Sequence, residues 1–352
     1  MVKDFYIAGR EVSKRAAPYI IAEISANHNG HIENAKKIIN MAKTCGADAV
    51  KMQTYTPDTI TLNSANDDFL IKDGLWAGQS LYELYQSAYT PWDWHKELFE
   101  YARSIGITIF STPFDDTAVD LLEELNTPAY KIASFECVDL KLIERVAKTK
   151  KPIIISTGMA NEFEIKEAVE TALTHGTGEL TLLHCVSGYP APSDEYNLLT
   201  LANMREIFDV NVGLSDHTLD NITAIAAVAL GAVMVEKHVT LDRAAGGPDD
   251  SFSLEADGLK ELCLATKTAW QALGQVNYTR TEAEKGNVKF RRSLYFVNSL
   301  SAGEIITEKD VRSVRPGFGL TPKYYDQIIG TRVSKSVEKH TPVTRDCLSI
   351  EV

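Results

Sequence analysis

The sequence predicts an α/β fold in which a (β/α)8 TIM barrel is followed by a small, mostly β domain. Three observations lead to this prediction: short apolar runs, helix-like segments between them, and a change of pattern near residue 275. The apolar runs are continuous and end at turn residues, as strands buried on both faces of a parallel sheet do. Several helix-like segments end in glycine, which favours a helix C-terminus.

Eight apolar runs are predicted as the barrel strands. They occupy residues 19–25, 49–53, 107–112, 129–134, 152–157, 180–185, 211–215 and 232–238. Helical patterns lie between them, for example at 31–46, 90–106, 115–126 and 162–176. Residues 54–90, after the second strand, form a long insertion rich in Asp, Asn and Gly. We expect this insertion to cover the mouth of the barrel.

The periodic pattern of strands and helices ends near residue 275. We therefore expect a barrel domain at 1–274, a polar linker at 275–290 and a small β domain at 291–352. Because so few residues bury little apolar surface alone, the small domain should pack on the barrel or on a partner subunit.

Composition argues against several classes of function. The net charge of −12 disfavours a nucleic-acid surface, and no apolar run is long enough to span a bilayer. The N-terminus lacks the apolar region of a secretory signal, and the five cysteines fit no disulfide or zinc pattern. The sequence also lacks a phosphate-binding loop, a dinucleotide-binding loop and a G-x-S-x-G elbow. We expect a cytoplasmic protein that binds neither nucleic acid nor membrane.

Candidate active-site residues are the polar residues that end each apolar run, since TIM barrels build their sites there. They include Glu23, Ser25, Lys51, Gln53, Thr112, Lys131, Ser134, Glu136, Ser156, Ser215, Asp216, His217, Glu236 and His238. Lys51 and Lys131 lie inside apolar runs, where an unpaired ammonium is costly. They indicate either a phosphate or carboxylate ligand or a pair of structural ion pairs. Hydroxyl groups that could complete an anion site belong to Thr112, Ser134, Ser156 and Ser215.

The last two predicted strands each end near a histidine, His217 and His238. Since these strands are neighbours in a closed barrel, both imidazoles could reach one divalent cation such as Mn²⁺, which could polarise a carbonyl. The alternative is one core histidine and one exposed histidine. Glu23, Glu236 and Asp249 are candidates to orient that carbonyl or to act as acid or base. The segment GGPDD at 246–250 is either a plain turn or a loop that delivers Asp249 to the site.

Short segments of the chain resemble, in their order and across nearly its whole length, the nonulosonic (sialic) acid synthases. They are IAEISANHNG, KMQTYTP, FSTPFD, YKIASFE, ISTGMA, GLSDHT, EKHVTLDRAAGGPD and RPGFGLTP. The resemblance implies a TIM barrel with a C-terminal antifreeze-like (SAF) domain. It also implies condensation of phosphoenolpyruvate with an N-acetylated hexose in its open aldehyde form, with release of phosphate. A divalent metal is implied as well, Mn²⁺ first and Mg²⁺ or Co²⁺ as alternatives.

The resemblance further implies a role for each matching residue. Those that would hold phosphoenolpyruvate are Lys51, Thr112, Lys131, Ser134, Ser156 and Ser215. The metal would bind His217 and His238 and polarise the aldehyde, and Glu23 would deprotonate or position the water that attacks C2. Those that would line the sugar pocket are Gln53, Ser187, Tyr189, Glu236 and Asp249. Arg315, from the SAF domain of the other subunit, would bind the N-acetyl group, so that a homodimer completes the site.

The choice of sugar is left open by the residues. The insertion and the C-terminal segments are most similar to those of members that use 2,4-diacetamido-2,4,6-trideoxy-L-altrose. Where N-acetylneuraminate synthases carry Asn-x-Tyr-Pro, this chain has SGYP, with Ser187 in place of the Asn. That change disfavours N-acetylmannosamine, although N-acetylneuraminate and N,N'-diacetyllegionaminate synthases are alternatives with the same mechanism. The aromatic insertion around Trp76 suits either a deoxy methyl group and a second acetamido group or a packed lid.

Two hypotheses outside this reaction are also considered. One is a Schiff-base aldolase that uses Lys131, whose activity would survive chelators and whose adduct borohydride would trap. The other is a catalytically inactive glycan-binding protein, which would leave two lysines and two histidines idle at one barrel mouth.

Overall fold

In a computed structural model, which describes residues 2–74 and 76–351, the chain contains a closed barrel of eight parallel strands, as predicted. Two short strands precede the barrel, β1 (Phe5–Ile7) and β2 (Arg10–Val12). The barrel strands are β3 (Tyr19–Glu23), β4 (Ala49–Thr54), β5 (Thr108–Pro113), β6 (Tyr130–Ile132), β7 (Ile153–Ser156), β8 (Leu180–Cys185), β9 (Asn211–Asp216) and β10 (Met234–His238). They pair in chain order, and β10 closes the barrel on β3.

Helices lie between the strands and around them. They are α1 (Ile32–Cys45), α2 (Pro57–Ile60), α3 (Leu81–Ala88), α4 (Trp92–Ile105), α5 (Asp116–Glu124), α6 (Leu140–Ala147), α7 (Glu162–His175), α8 (Thr200–Phe208), α9 (Ile222–Ala229) and α10 (Ala256–Leu273). The end of α1 has a local cause, because Gly46 adopts a φ of 95°, which favours glycine. Likewise, α7 begins with a capping box between Asn161 and Glu164.

The strands β1 and β2 form an antiparallel hairpin, which the sequence did not predict. Phe5, Ile7 and Val12 of the hairpin are buried in one cluster with residues from the beginnings of barrel strands, such as Tyr19 and Ala49. The hairpin therefore closes the N-terminal end of the barrel with apolar side chains. The residues that carry charge in the barrel interior as described, such as Glu23, Lys51 and Glu236, lie towards the other end.

The insertion between β4 and α4 lies at the mouth of the barrel, as expected. It contains α2, α3 and a short 3₁₀ turn at Asp67–Phe69. The indole Nε1 of Trp76 donates a hydrogen bond to the backbone oxygen of Pro248 at 3.1 Å. This bond ties the insertion to the loop that follows β10.

The described residues divide into two compact units, with the boundary between Gly274 and Gln275. The second unit contains α11 (Glu282–Lys285), β11 (Ser293–Phe296), β12 (Val311–Val314) and α12 (Tyr325–Ile328). Its two strands are antiparallel, and it has its own apolar core. Within the described parts of the chain, no helix has the length and apolar character needed to cross a membrane.

Candidate active site

A cavity of about 370 Å³ lies at the C-terminal ends of the barrel strands. Its polar lining consists of Glu23, Ser25, Lys51, Gln53, Lys131, Ser134, Glu136, Ser156, Tyr189, Ser215, His217, Glu236, His238 and Asp249. These side chains converge because alternate residues of a strand point into the barrel, as Glu236 and His238 of β10 do. The structure therefore brings together most of the residues that the sequence singled out.

Two buried lysines on the floor of the cavity share one carboxylate. Lys51 Nζ lies 3.0 Å from Glu236 Oε1, and Lys131 Nζ lies 3.3 Å from the same oxygen. Lys51 Nζ is also 3.2 Å from Glu23 Oε2. All four residues are at most 4% exposed, so water screens their interactions little.

The two glutamates on the floor of the cavity differ in pKa. Burial alone would raise the pKa of Glu236, but Lys131 and Lys51 together lower it to about 2. Burial raises the pKa of Glu23 to about 7, although Lys51 acts in the opposite direction. Glu236 is therefore an anion at neutral pH, whereas Glu23 gains and loses a proton there.

The pKa values of the two lysines are shifted in opposite directions. Burial lowers the pKa of Lys131. Burial acts in the same direction on Lys51, but Glu23 and Glu236 outweigh it and raise the pKa of Lys51. Since Glu236 is the one carboxylate near both ammonium groups that is fully ionised, the floor is short of negative charge.

The rings of His217 and His238 lie side by side in the cavity, with centroids 5.5 Å apart. His217 Nδ1 lies 2.8 Å from the backbone oxygen of Val186, which can only accept, so Nδ1 donates this bond and the lone pair of the neutral ring is on Nε2. Burial acts to lower the pKa of His217, but Cys185 outweighs burial and raises it. His238 Nδ1 is buried, has no hydrogen-bond partner among the described residues, and lies 3.8 Å from Asp249 Oδ2. Burial, together with the charges of His217 and Lys51, lowers the pKa of His238 well below its usual value.

The loop after β10 delivers Asp249 to this site, which decides between the two interpretations of GGPDD. Asp249 Oδ2 accepts a hydrogen bond from Ser25 Oγ. Gln53 Nε2 donates to Ser25 Oγ at 3.2 Å and to Glu23 Oε1 at 3.1 Å. Burial raises the pKa of Asp249. A hydrogen-bonded row thus joins the loop carboxylate to Glu23.

Gly158, which follows β7, is a site residue that the sequence did not single out. Its backbone nitrogen donates to Ser134 Oγ at 3.2 Å. A Cβ at this position would lie 2.2 Å from Ser187 Oγ and 2.8 Å from Ser134 Oγ. Glycine is therefore required for the close approach of these two hydroxyl groups.

Cys185, the last residue of β8, was also missed. Its Sγ accepts a hydrogen bond from Ser134 Oγ at 3.4 Å and lies 3.9 Å from His217 Nδ1. Burial would raise the pKa of this thiol, but His217 outweighs burial and the pKa is about 7. The signal in the sequence was its place at a strand end, where the other site residues also lie.

Three predicted site residues do not line the cavity as the described residues form it. The hydroxyl oxygens of Thr112 and Ser187 are buried and lack hydrogen-bond partners among those residues. Thr112 follows Phe110 by two positions, so it shares the inward face of β5. Arg315 belongs to the second unit, directly after β12, and is exposed.

Several buried polar atoms of the cavity wall also lack partners among the described residues. They are Ser156 Oγ, Glu136 Oε2, Glu236 Oε2 and His238 Nδ1. Buried polar groups in proteins are nearly always hydrogen-bonded. Their concentration at one cavity indicates a site built for a polar ligand, with the serine hydroxyl free to donate and the carboxylate oxygens free to accept.

No preformed set of three or more His, Cys, Asp or Glu ligands for a metal ion occurs in the described ranges. The two imidazoles nevertheless present a lone pair on His217 and an unpaired nitrogen on His238. Two nitrogen ligands with a carboxylate nearby suit a cation that takes its remaining ligands from water or substrate.

Comparison with known proteins shows the family of this chain. Residues 38–278 match the NeuB family, and residues 291–349 match the SAF domain. The chain belongs to the NeuB family. This confirms the resemblance to nonulosonic acid synthases and the order of the two domain types.

This NeuB family chain is 45% identical to a pseudaminic acid synthase of Helicobacter pylori, over 94% of this chain and 97% of the relative. It is 37% identical to an N,N'-diacetyllegionaminic acid synthase of Campylobacter jejuni, over 91% of this chain and 97% of the relative. A solved structure is also similar, that of the N-acetylneuraminic acid (sialic acid) synthetase of Leptospira borgpetersenii in complex with citrate. Its TM-score is 0.73 at 27% identity, over 83% of this chain and 97% of that chain.

One wall of the cavity in this NeuB family member is apolar and comes from the insertion. It consists of Ile60, Ile71, Trp76, Leu81, Leu84 and Ala88. The Tyr189 ring lies between this wall and the histidines, with its centroid 6.0 Å from that of Trp76 and 4.4 Å from that of His217. The cavity thus combines a charged floor with an apolar wall.

Proposed function

We propose that this chain is a pseudaminic acid synthase. It would condense phosphoenolpyruvate with 2,4-diacetamido-2,4,6-trideoxy-L-altrose, in its open aldehyde form, and water to give pseudaminic acid and phosphate. The 45% identity to pseudaminic acid synthases, against 37% to a legionaminic acid synthase, supports this sugar. An N,N'-diacetyllegionaminate or N-acetylneuraminate synthase with the same mechanism is the alternative.

The observation that carries the proposal is the pair of lysines that share Glu236. Lys51 and Lys131 share the carboxylate of Glu236, and Glu23 beside Lys51 is only partly ionised at neutral pH. Because the whole chain has a net charge of −12, these two lysines are the local cations that an anionic substrate would need. A ligand that is both a phosphate and a carboxylate would supply the missing negative charge. Phosphoenolpyruvate carries both groups on three carbons.

Hydroxyl groups would complete the phosphoenolpyruvate site. The proposed donors are Thr112, Ser134, Ser156 and Ser215. Ser156 Oγ has no partner among the described residues, and Ser215 Oγ makes only a long bond of 3.4 Å to Glu236 Oε1 in what is described. Both hydroxyls can turn towards a ligand. When the bond between C2 and the phosphate oxygen breaks, the lysines would stabilise the charge that develops on the departing phosphate.

The proposed reaction forms one carbon–carbon bond and one carbon–oxygen bond and breaks the carbon–oxygen bond to phosphate. C3 of phosphoenolpyruvate bonds to the aldehyde carbon, whose oxygen takes up a proton and becomes a hydroxyl group. Water adds at C2, and phosphate leaves with the oxygen that joined it to C2. The water must give up a proton, and Glu23 would accept it. Its pKa of about 7 allows proton transfer in both directions near neutral pH. Gln53 holds Glu23 Oε1 in place at 3.1 Å.

The residues also fit a divalent cation, Mn²⁺ first and Mg²⁺ or Co²⁺ as alternatives. His217 and His238 would hold it, because His217 keeps a lone pair on Nε2 and His238 Nδ1 lacks a partner among the described residues. When bound, such a cation acts as a Lewis acid that polarises a carbonyl. The chain's own contribution is to fix both imidazoles beside Glu236 and Asp249, so that an aldehyde placed there faces C3 of phosphoenolpyruvate.

The sugar would occupy the space between the histidines and the apolar wall. Gln53, Tyr189, Glu236 and Asp249 line that space, and Ser187 lies behind Gly158. A trideoxy sugar with two acetamido groups has a methyl group at C6, where a hexose has a hydroxyl. Trp76 and Leu84 would accept this methyl group, whereas a hydroxyl there would lose its hydrogen bonds to water.

A homodimer would complete the site, with the SAF domain capping the partner's barrel. Arg315 makes no hydrogen bond or ion pair to any described residue, and the partner subunit's Arg315 would bind an N-acetyl group of the sugar. Large apolar residues follow the ends of several strands and are exposed; they are Phe135, Met159, Phe163, Leu199 and Ile222. These residues are proposed to contact a partner subunit.

We also propose that the enzyme works in the cytoplasm, without nucleic acid or membrane as a partner. All five cysteines are free thiols, as in a reducing compartment.

The test measures phosphate release and product mass with purified enzyme, phosphoenolpyruvate and Mn²⁺. Three sugars would be offered separately: the L-altrose sugar, the corresponding precursor of diacetyllegionaminate, and N-acetylmannosamine. Turnover of the altrose sugar alone, abolished by a chelator and restored by Mn²⁺, is expected. Turnover of another sugar would keep the mechanism and overturn the substrate.

A second experiment distinguishes the proposed synthase from a Schiff-base aldolase. The lowered pKa of Lys131 would favour the aldolase. Borohydride would be added during turnover, and the mass of the protein measured. A covalent adduct on Lys131, with activity that survives chelation, would overturn the proposal. Absence of phosphate release with every sugar, together with failure of phosphoenolpyruvate to raise the melting temperature, would favour the inactive glycan-binding protein.

A further inference from the structure

Asp216 and Lys237 form a buried ion pair that the proposed reaction does not use. Lys237 Nζ lies 2.7 Å from Asp216 Oδ2, and each side chain is at most 1% exposed. Neither residue lines the cavity. Because side chains alternate in direction along a strand, both point out of the barrel, into the apolar layer that contains Leu214 and Val235. Apolar side chains would suit that layer, and replacing a buried ion pair by them is often neutral or stabilising. Stability alone therefore does not explain the pair.

The same ammonium group holds the backbone on both sides of His217. Lys237 Nζ donates to Asp216, to Thr218 Oγ1 at 3.2 Å and to the backbone oxygen of Asp220. Asp216 Oδ1 in turn accepts from the nitrogen and the hydroxyl of Thr218, at 2.9 Å and 2.8 Å. All three protons of the ammonium and both carboxylate oxygens are thus used. The residues that they hold flank His217 in the chain.

On the other strand, Lys237 is the neighbour of His238. Lys237 and Asp216 are register partners across β10 and β9, so the ion pair joins the two strand ends one residue before each histidine. We propose that Asp216 and Lys237 are positioning residues, which set the separation and orientation of the His217 and His238 imidazoles. This inference rests on the proposed function, because it presumes that the two imidazoles hold a divalent cation.

The test replaces the ion pair by apolar side chains and measures Mn²⁺ binding directly. The variant Asp216→Leu/Lys237→Met removes both charges together, which avoids leaving either one unpaired in the interior. Metal-free protein would be titrated with Mn²⁺ and followed by electron paramagnetic resonance. Phosphoenolpyruvate binding and thermal unfolding would be measured on the same samples.

A control variant removes a different lysine–carboxylate pair, which is partly exposed. Lys151 Nζ and Glu123 Oε1 lie 2.5 Å apart near the N-terminal end of the barrel, away from the cavity. The control variant is Glu123→Gln/Lys151→Met, in which glutamine can still accept the hydrogen bond from Tyr130. We expect its Mn²⁺ affinity to equal that of the wild type.

For the double variant at 216 and 237, we expect a folded protein whose Mn²⁺ dissociation constant is at least about tenfold higher. The dissociation constant for phosphoenolpyruvate should change less than that for Mn²⁺, since Lys51 and Lys131 lie on other strands and Ser215 is the one proposed donor next to the ion pair in the chain. A folded double variant that binds Mn²⁺ as tightly as the wild type would overturn the inference and leave the proposed function intact. If wild-type protein does not bind Mn²⁺, the metal site and this inference are both wrong.

Thr218→Val provides a second route if the double variant does not fold. Valine keeps the volume of threonine but lacks the hydroxyl that bridges Lys237 and Asp216. We expect Mn²⁺ binding to weaken by about threefold to tenfold, with thermal unfolding close to that of the wild type. Unchanged Mn²⁺ affinity in this variant would also overturn the inference.

Discussion

The two ends of the barrel interior are built from the same strands but have opposite chemistry. At the N-terminal end, Met234 of β10 and Ala49 of β4 pack against Phe5 of the hairpin. Two residues further along the same strands, Glu236 and Lys51 face each other at 3.0 Å. The inward face of one strand therefore changes from apolar to charged within a single strand period.

Because of this difference, the apolar end of the barrel contributes mainly to stability and the charged end mainly to function. The apolar end buries side chains in well-packed contact, which stabilises the fold. The charged end holds groups that are desolvated and only partly paired, which does not favour stability. Substitutions at the charged end should therefore affect turnover first, and substitutions at the apolar end should affect unfolding first.

The largest expected effect on turnover is at Lys131. The Lys131→Met variant leaves Glu236 with only one lysine partner and removes a cation from the phosphoenolpyruvate site. We expect kcat/KM to fall by at least about 1,000-fold, equivalent to about 4 kcal/mol of transition-state stabilisation. Steady-state phosphate release would measure it.

A second variant separates loss of chemistry from loss of fold at this position. Lys131→Met/Glu236→Gln removes the charge of both partners, so thermal stability should recover relative to Lys131→Met. Turnover should stay low, because the anion site still lacks a cation. Recovery of turnover together with stability would mean that Lys131 acts only as the ion-pair partner of Glu236.

The next largest effect on turnover is expected at Glu23, and it depends on pH. Because the pKa of Glu23 is about 7, its carboxylate fraction increases as pH rises through that value. Wild-type kcat/KM should therefore rise with pH between about 6 and 8 if the carboxylate accepts the proton of water. Glu23→Gln should lower kcat by about 100- to 10,000-fold and remove this rise. The pH dependence of phosphate release measures both.

Gln53→Glu would test whether the acidity of Glu23 depends on its neighbour. The change replaces the amide that donates to Glu23 Oε1 by a second carboxyl group. Like charges raise a carboxyl pKa, so the rise in kcat/KM should move to higher pH. A profile that does not move would show that another group controls the pH dependence.

Substitution of Gly158 should have a smaller effect on the kinetics than substitution of Glu23. A Cβ in Gly158→Ala would meet two hydroxyl oxygens at 2.2 and 2.8 Å, so Ser134 and Ser187 must shift. We expect KM for phosphoenolpyruvate to rise by about tenfold to a hundredfold, because small displacements of binding groups reduce rates strongly. The matched control is Gly188→Ala, whose Cβ would lie no closer than 3.5 Å to its neighbours. Equal KM values for the two variants would contradict the role given to Gly158.

The two ends also differ in how far the sequence predicts them. The barrel strands were predicted because each is a continuous apolar run, such as IIIS at Ile153–Ser156. The hairpin was not, because FYI and REV are three-residue strands that contain exposed or charged positions. Such short strands form because Phe5 and Val12 pack into the barrel, and that contact lies beyond the local sequence.

At the charged end, most of the residues that line the cavity were predicted from the sequence, but little of their electrostatics was. Position at strand ends was enough to find Lys51, Lys131 and the two histidines. The pKa difference between Glu23 and Glu236 depends on which carboxylate both lysines reach, and only three-dimensional distances reveal that. Residue spacing likewise did not reveal that Asp216 and Lys237 are paired.

The smallest effect on turnover is expected at the apolar end, in the variant Phe5→Ala. Phe5 is 2% exposed and belongs to the cluster that closes the N-terminal end of the barrel. Its truncation should lower the free energy of unfolding by about 3–5 kcal/mol through lost burial and the cavity left behind. At a temperature where the variant is folded, kcat and both KM values should stay within about twofold of the wild type, since Phe5 packs against Met234 and Ala49 and not against the charged floor itself. Tyr6→Ala is the matched control, because Tyr6 is 59% exposed on the same strand and should change neither property. A Phe5→Ala enzyme that is stable but slow would mean that the apolar end positions the catalytic end, and the two ends would then have to be treated as one unit.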